Sequence, residues 1–83
     1  MEKPKKIIIW FDTQDPNNKG WSYTAHFEED ILSDSLPLRS VRAGLRTLRR
    51  AVANDLKSFP REARSDGSWH WHAEDGGYWE WKA

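Results

Sequence analysis

Two short runs of strand-forming residues lie near the beginning of the chain. The first is the apolar run Ile-Ile-Ile-Trp-Phe at 7–11, and the second, at 21–28, alternates apolar and polar residues. Short runs rich in β-branched and aromatic residues are typical of strands, and alternation indicates a strand with one buried face. Turn-forming residues fill 15–20 between the two runs. The pattern predicts strands at 5–11 and 21–28, joined as a hairpin by a long polar loop.

The hydrophobic period changes in the middle of the chain. Leucine and valine recur there at steps of three and four residues: Leu38, Val41, Leu45, Leu48, Val52 and Leu56. This spacing places their side chains on one face of an amphipathic helix. Because Asp34 or Ser35 can cap this helix and Pro60 can end it, we expect a helix at about 36–58. The acidic residues 28–35 are expected to form an irregular connection before it.

A second pair of alternating runs ends the chain. Trp-His-Trp-His occupies 69–72 and Tyr-Trp-Glu-Trp occupies 78–81, with a glycine-rich turn between them. Two alternating runs around such a turn are typical of a β-hairpin. We therefore expect strands at 68–73 and 78–82.

The length of this last loop decides which faces the tryptophans occupy. A loop with an even number of residues would put the tryptophans of the two strands on opposite faces of the sheet. A three-residue loop at 75–77 would pair Trp71 with Trp81 and bring all four tryptophans onto one face. Because burial of one face sets the register of a strand, the sequence favours the three-residue loop.

The elements follow one another in the order ββαββ. The simplest arrangement is an α+β fold of two layers, in which one helix packs on one face of a four-stranded antiparallel sheet. With 83 residues, the chain has room for a single domain, 1–83, and one core. The helix leucines and valines would share this core with the inward side chains of the strands: Ile7, Ile9, Phe11, Trp21, Tyr23, Ala25, Phe27, Trp69, Trp71, Trp79 and Trp81. The pattern does not fix the order of the strands.

Composition and charge exclude several classes of protein. The 13 Lys and Arg residues balance 13 Asp and Glu residues, so the chain as a whole is not a polycation. An aromatic share of 13 %, with six Trp, is too high for a disordered tail and indicates a packed core. The absence of Cys excludes disulfides, zinc–thiolate sites and thiol nucleophiles. No apolar run approaches the length of a membrane span or a secretion signal, so we expect a cytoplasmic protein without a membrane partner.

One face of the predicted sheet is left without a helix. Strand alternation assigns to this open face Ile8, Trp10, Ser22, Thr24, His26, His70, His72, Tyr78, Glu80 and Lys82. Aromatic side chains with polar tips are typical of binding patches. The candidate partner-binding residues on this face are Trp10, His26, His70, His72 and Tyr78. The alternative is an ordinary solvated face that carries one unusual tryptophan.

The histidine pair at 70 and 72 raises the question of a metal or a catalytic site. Because residues two apart on a strand point the same way, both imidazoles could reach one ion, with His26, Glu74 or Glu80 as a third ligand. Two ligands at this spacing are too few to indicate a site. The chain also lacks a nucleophile elbow, a phosphate-binding glycine loop and the HExxH motif. We expect no metal, no cofactor and no enzymatic activity.

Charge is divided unevenly along the chain. Residues 39–64 carry eight basic and two acidic side chains, so they are strongly positive while the rest of the chain is equally negative. Within this segment the helical spacing of arginines predicts a stripe opposite the apolar face: Arg39, Arg42, Arg46, Arg49 and Arg50. Arg42, Arg46, Arg49 and Arg50 are candidate contacts to phosphates or to an acidic protein surface. The alternative is a solvated helix exterior.

Residues 20–57 show an arrangement similar to that of a known family. The segment Gly-Trp-Ser-Tyr-Thr-Ala at 20–25 is followed by an acidic connection and by the run Leu-Arg-Ser-Val-Arg-Ala-Gly-Leu at 38–45. This arrangement resembles HicB-like antitoxins. As a type, the chain also resembles small phage-encoded inhibitors such as anti-CRISPR proteins. Both resemblances imply a compact protein that acts by occupying the surface of another macromolecule, and neither assigns a role to a particular residue.

These observations predict a small, tryptophan-rich, non-enzymatic interaction protein. It would bind and block or regulate a protein or nucleoprotein complex, as a phage-type inhibitor or an antitoxin-like module does. The alternative is a domain that binds nucleic acid directly through the arginine stripe. A homodimer through the open face and a small metal-dependent hydrolase using His70 and His72 are further alternatives.

Overall fold

Five strands and one α-helix form the fold in a computed structural model that describes residues 2–14, 17 and 19–83. In chain order these elements are β1 (Lys6–Asp12), β2 (Gly20–His26), β3 (Ile31–Ser35), α1 (Leu45–Asp55), β4 (Trp69–His72) and β5 (Tyr78–Lys82). Short 3-10 turns lie at Arg61–Arg64, Asp66–Ser68 and Glu74–Gly76. Asp15, Pro16 and Asn18 of the predicted turn at 15–20 lie outside the described residues. No helix in the described part of the chain has the length and apolar character needed to span a bilayer.

The strands form one antiparallel sheet in the order β3-β2-β1-β5-β4. The first strand is therefore central and pairs with the last one, so that Ile7 lies opposite Trp81. A backbone hydrogen bond of 2.8 Å from Ala83 N to Lys5 O extends this pairing. The predicted α+β class is confirmed, but the predicted four-stranded sheet is wrong because β3 adds a fifth strand.

The strand β3 lies where the sequence predicted an irregular acidic connection. It pairs with β2 at one edge of the sheet, and Thr24 Oγ1 and Ser33 Oγ lie 3.1 Å apart across that pair. All five of its residues are exposed. A strand that buries neither face has no alternation of apolar and polar residues, and this alternation is the pattern that indicates a strand in a sequence.

The helix is shorter than predicted because residues before it pair with β2. The backbone N–H of Leu36 donates to Trp21 O at 2.8 Å, and Trp21 N–H donates to Leu38 O at 2.9 Å. The Trp21 indole N–H donates to Ser40 O at 2.8 Å. The helix begins only after Gly44, which is its N-cap, so a cap at Asp34 or Ser35 is wrong. At the other end, the helix stops at Asp55, before Pro60.

The second hairpin has the predicted parity but a longer loop. Trp69 pairs with Trp81 and Trp71 with Trp79, so the predicted pair of Trp71 with Trp81 is wrong, although all four tryptophans point to one face. The loop covers 73–77 because three successive residues have positive φ: Asp75 at 56°, Gly76 at 85° and Gly77 at 94°. A Cβ at position 77 would lie 2.4 Å from Trp71 Cζ2, so this position also requires glycine to make room for the ring.

The core lies between α1 and the face of the sheet that carries the tryptophans. Its buried apolar members are Ile7, Ile9, Trp21, Tyr23, Ala25, Leu36, Leu48, Val52, Leu56, Phe59, Ala63, Trp69 and Trp81. Trp71 and Val41, expected in the core, are 50 % and 63 % exposed. Phe59 and Ala63 lie in the segment that follows α1, and both pack in the core. The backbone carbonyl of Ala63 accepts a 2.8 Å hydrogen bond from the Trp69 indole N–H.

Candidate functional site

Every residue assigned to the open face lies on the side of the sheet opposite the core. The register shows this, because Ile8, Trp10 and Glu80 alternate with the buried Ile7, Ile9 and Trp81 on the same strands. Cross-strand partners point to the same face, so β2, β4 and β5 carry the remaining members there: Ser22, Thr24, His26, His70, His72, Tyr78 and Lys82. The edge strand β3 adds Ile31, whose side chain is 66 % exposed.

Three rings line up across adjacent strands of this face. Trp10 on β1 pairs with Tyr78 on β5, and Tyr78 pairs with His72 on β4. The rings of His72 and Tyr78 are stacked, with their centroids 4.8 Å apart and their planes 13° from parallel. All three residues are half-buried. We call Trp10, Tyr78 and His72 the aromatic row.

Carboxylates border the aromatic row at the end formed by the last hairpin. His72 Nε2 lies 3.0 Å from Glu80 Oε1, and His72 Nδ1 lies 3.5 Å from Glu74 Oε1. Loss of water around its hydroxyl raises the pKa of Tyr78, and the charges of Glu74, Glu80 and Asp75 raise it further. The phenol therefore stays protonated at neutral pH and remains a hydrogen-bond donor.

The three histidines do not converge. His26 lies on β2 opposite Lys6, and the strands β1 and β5 separate it from His70 and His72 on β4. Burial lowers the pKa of His26, and the charge of Lys6 lowers it further. Within residues 2–14, 17 and 19–83, no group of three or more His, Asp or Glu side chains is placed to hold a metal ion.

The predicted arginine stripe is divided by the late start of α1. Arg39 and Arg42 precede the helix, Arg39 in a segment without regular structure and Arg42 in a turn, so the continuous helical stripe is wrong. Arg46, Arg49 and Arg50 lie on α1 and line one groove of about 360 Å³. Its other lining residues are Ala53, Asn54, Phe59 and Arg64. We call this groove the arginine groove.

Arg64 also lines the arginine groove, although it was not among the predicted phosphate contacts. It lies in the 3-10 turn Arg61–Arg64, nine residues beyond the end of α1 at Asp55. Its guanidinium carbon lies 5.4 Å from the centroid of the Phe59 ring. Only the return of the chain along α1 brings this side chain to the helix, so helical spacing could not have indicated it. The excess of basic residues over 39–64 was the one available signal.

The two candidate surfaces lie on opposite layers of the molecule. The aromatic row lies on the sheet face that points away from the core, whereas α1 packs on the other face and presents the arginine groove outward. Comparison with known proteins finds no matching family model, no matching curated protein and no matching solved structure. The resemblance to HicB-like antitoxins and to phage inhibitors therefore stays a prediction, and these two surfaces are the structural features that bear on function.

Proposed function

We propose that this chain is a small, non-catalytic binding protein that holds a partner protein on its open sheet face. The observation that carries the proposal is the aromatic row, in which Trp10, Tyr78 and His72 lie side by side on three adjacent strands. Large rings gathered at the centre of an uncovered face are typical of the residues that dominate protein interfaces.

The charges around the row favour a protein over a nucleic acid on this face. The charges of Glu74, Asp75 and Glu80 act on the hydroxyl of Tyr78, and Glu74 and Glu80 lie within 3.5 Å of the ring nitrogens of His72. A phosphate backbone laid over the rings would be repelled by these carboxylates, whereas a Lys or Arg side chain would be attracted by the rings and the carboxylates together. The partner surface that best fits the row therefore carries a cationic side chain opposite it.

The row is also ordered before any partner arrives. His72 is stacked on Tyr78 and lies 3.0 Å from Glu80 Oε1, so two of the three rings are held in place within the chain. Side chains that are fixed in advance lose less conformational entropy on binding, which strengthens association. Such a module would act by occupying its partner, as the inhibitor and antitoxin resemblances imply.

Replacement of Trp10 by Ala tests this function. The tagged chain is used to capture partners from a bacterial lysate that is divided into nuclease-treated and untreated halves. We expect a stoichiometric protein to survive nuclease, and Trp10→Ala to weaken its binding at least about tenfold, as for an interface hot spot. The matched control is Trp71→Ala, which removes an exposed ring from the opposite face of the same sheet.

Four results would overturn the proposal. The first is capture that is lost completely on nuclease treatment. The second is a Trp10→Ala variant that binds as tightly as the unchanged chain. The third is a stability loss of several kcal/mol in that variant, which would assign Trp10 to the core instead of a contact surface. The fourth is a dimer of the purified chain, detected by sedimentation, that dissociates in Trp10→Ala; it would show that a second copy of the chain occupies the open face instead of a partner protein.

Direct nucleic-acid binding is a second candidate function, and a different observation favours it. Arg46, Arg49 and Arg50 lie together with Arg64 in the arginine groove, on the layer opposite the aromatic row. The metal-dependent hydrolase is not proposed, because His72 is engaged with Glu74 and Glu80, and two intervening strands separate His26 from His70 and His72.

A further inference from the structure

The arginine groove concentrates positive charge without acidic residues in its lining. The helix α1 contributes Arg46, Arg49 and Arg50, and the 3-10 turn after it contributes Arg64. The three remaining lining residues are Ala53, Asn54 and Phe59, none of which is charged. The helical members are spaced by three and four residues, so they share one face of α1.

Arg49 holds the groove together instead of remaining available to a ligand. Its Nε and Nη2 atoms each lie 2.7 Å from Asp66 Oδ1, and its Nη1 donates to the backbone carbonyl of Arg64. The side chain is only 12 % exposed. These bonds fix the turn that carries Arg64 against α1, and they neutralise one of the four charges.

The other three guanidinium groups are not neutralised. Among the described residues, no carboxylate lies within ion-pair distance of Arg46, Arg50 or Arg64. Arg46 and Arg50 are exposed and one helical turn apart, an arrangement in which like charges destabilise a helix slightly. Arg64 is steadied by its position over the Phe59 ring. A bound anion would relieve this repulsion.

The chemistry of the lining selects the kind of anion. Guanidinium groups are planar donor forks that match the oxygens of phosphate and remain charged at any physiological pH. Forks that reach one groove from a helix and from a separate turn suit a tetrahedral anion with several oxygens. From this lining we infer that the arginine groove is a binding site for phosphate esters, supplied by a polynucleotide backbone or by a free nucleotide. This site does not depend on the function proposed for the open face, since the two surfaces lie on opposite layers.

Charge reversal within and outside the groove tests the site. The test variant is Arg46→Glu with Arg50→Glu, and the matched control is Arg39→Glu with Arg42→Glu, which makes the same change in net charge outside the groove. The probes are a short fluorescein-labelled oligothymidylate, followed by anisotropy, and ATP, followed by calorimetry; ATP and the unlabelled oligonucleotide are also compared as competitors of the labelled one. A second test variant, Arg46→Gln with Arg50→Gln, removes the charges without reversing them, and far-UV circular dichroism checks that each variant folds.

We expect the unchanged chain to bind the oligonucleotide with an affinity that falls between about 50 and 200 mM salt, because phosphate contacts release counterions. Both groove variants should lose at least about tenfold in affinity, whereas the control should lose less than about threefold. Competition by ATP as strong as that of the unlabelled oligonucleotide would make the source a free nucleotide, and weaker competition would make it the polymer. Equal losses in the groove and control variants, or no salt-sensitive binding to either probe, would overturn the site.

Discussion

The Tyr23 side chain is an example of a single residue that joins two layers of the fold. It is fully buried, and its hydroxyl donates a 2.7 Å hydrogen bond to Oδ2 of Asp55 at the end of α1. Burial raises the pKa of Tyr23 well above its usual value, and the hydrogen bond to Asp55 and the charges of Asp55 and Asp34 raise it further. The folded chain therefore holds this proton more tightly than the unfolded chain does.

Replacement of Tyr23 by Phe should reveal both the stability contributed by the hydrogen bond and the proton that the folded chain retains at high pH. At neutral pH we expect a loss of about 1.5–3 kcal/mol in the free energy of unfolding, since the bond is made to a charged group. Above about pH 10 the unfolded chain releases the proton while the folded chain keeps it, so the unchanged protein loses stability by about 1.4 kcal/mol per pH unit at this position. The Tyr23→Phe variant has no proton to release at this position, so it does not lose this stability. The difference in the free energy of unfolding between the unchanged protein and the variant should therefore shrink as the pH rises.

Urea unfolding of both chains between about pH 7 and pH 11 measures this difference. The control is Tyr78→Phe, which removes the hydroxyl of a half-buried residue that makes no side-chain hydrogen bond within the described part of the chain, and which should cost little at neutral pH. A stability difference between the unchanged chain and Tyr23→Phe that stays constant over this range would contradict the assignment of the proton to the folded state.

Residue faces could be predicted from the sequence, whereas the loop that fixes their register could not. Trp10 and His72 were each assigned to the open face because side chains on a strand alternate with period two and the neighbouring apolar or tryptophan positions of each strand were expected to be buried. The loop at 73–77 depends on a positive φ at Asp75 as well as at the two glycines after it. Since a non-glycine residue seldom adopts this conformation, the sequence did not indicate a longer loop.

At the scale of elements, tertiary hydrogen bonds replaced a helix that the hydrophobic period favoured. Leu38 has the helical spacing, but its carbonyl accepts a hydrogen bond from the backbone N–H of Trp21. The indole N–H of Trp21 donates a hydrogen bond to the backbone carbonyl of Ser40. A hydrophobic period indicates the face a helix would bury but does not identify the competing partners of its backbone. The arginine groove was predicted only in part for the same reason, since Arg64 joins α1 through the return of the chain.

The late start of α1 leaves its N-terminus poorly capped. The N-cap Gly44 makes no side-chain hydrogen bond, and the first turn holds no acidic residue. Its φ of −81° and ψ of 165° suit any residue, and a Cβ there would meet nothing within 4 Å. An Asp at this position could accept a bond from an unpaired backbone N–H and would interact favourably with the helix dipole.

We therefore expect Gly44→Asp to raise the free energy of unfolding by about 0.5–1 kcal/mol. Urea unfolding should show a higher midpoint with an unchanged slope. Gly44→Ala is the control, because it restricts the unfolded chain in a similar way without supplying a cap. Equal effects of Asp and Ala would mean that the gain comes from the unfolded state and that the cap contributes nothing.

At the scale of the whole molecule, one long-range pairing turns two hairpins into one sheet. The sequence predicted both hairpins, but local patterns do not specify that β1 pairs with β5 at the other end of the chain. This pairing places Trp81 on an interior strand of the sheet, opposite Ile7 on one side and Trp69 on the other. The aromatic row crosses the same junction on the other face of the sheet, so the candidate binding surface exists only when both hairpins are joined.

Replacement of Trp81 by Ala should therefore unfold the sheet as a unit. The side chain is 2 % exposed, and loss of a buried Trp costs about 3–5 kcal/mol, a large part of the stability of a small domain. We expect the unfolding temperature to fall by more than about 15 °C, with coincident transitions in far-UV circular dichroism and tryptophan fluorescence. Trp71→Ala, which removes a half-exposed ring from the neighbouring strand, should lower it much less. Separate transitions for the two probes would show that the hairpins are stable independently, and the aromatic row could then be lost while β1, β2 and β3 remain paired.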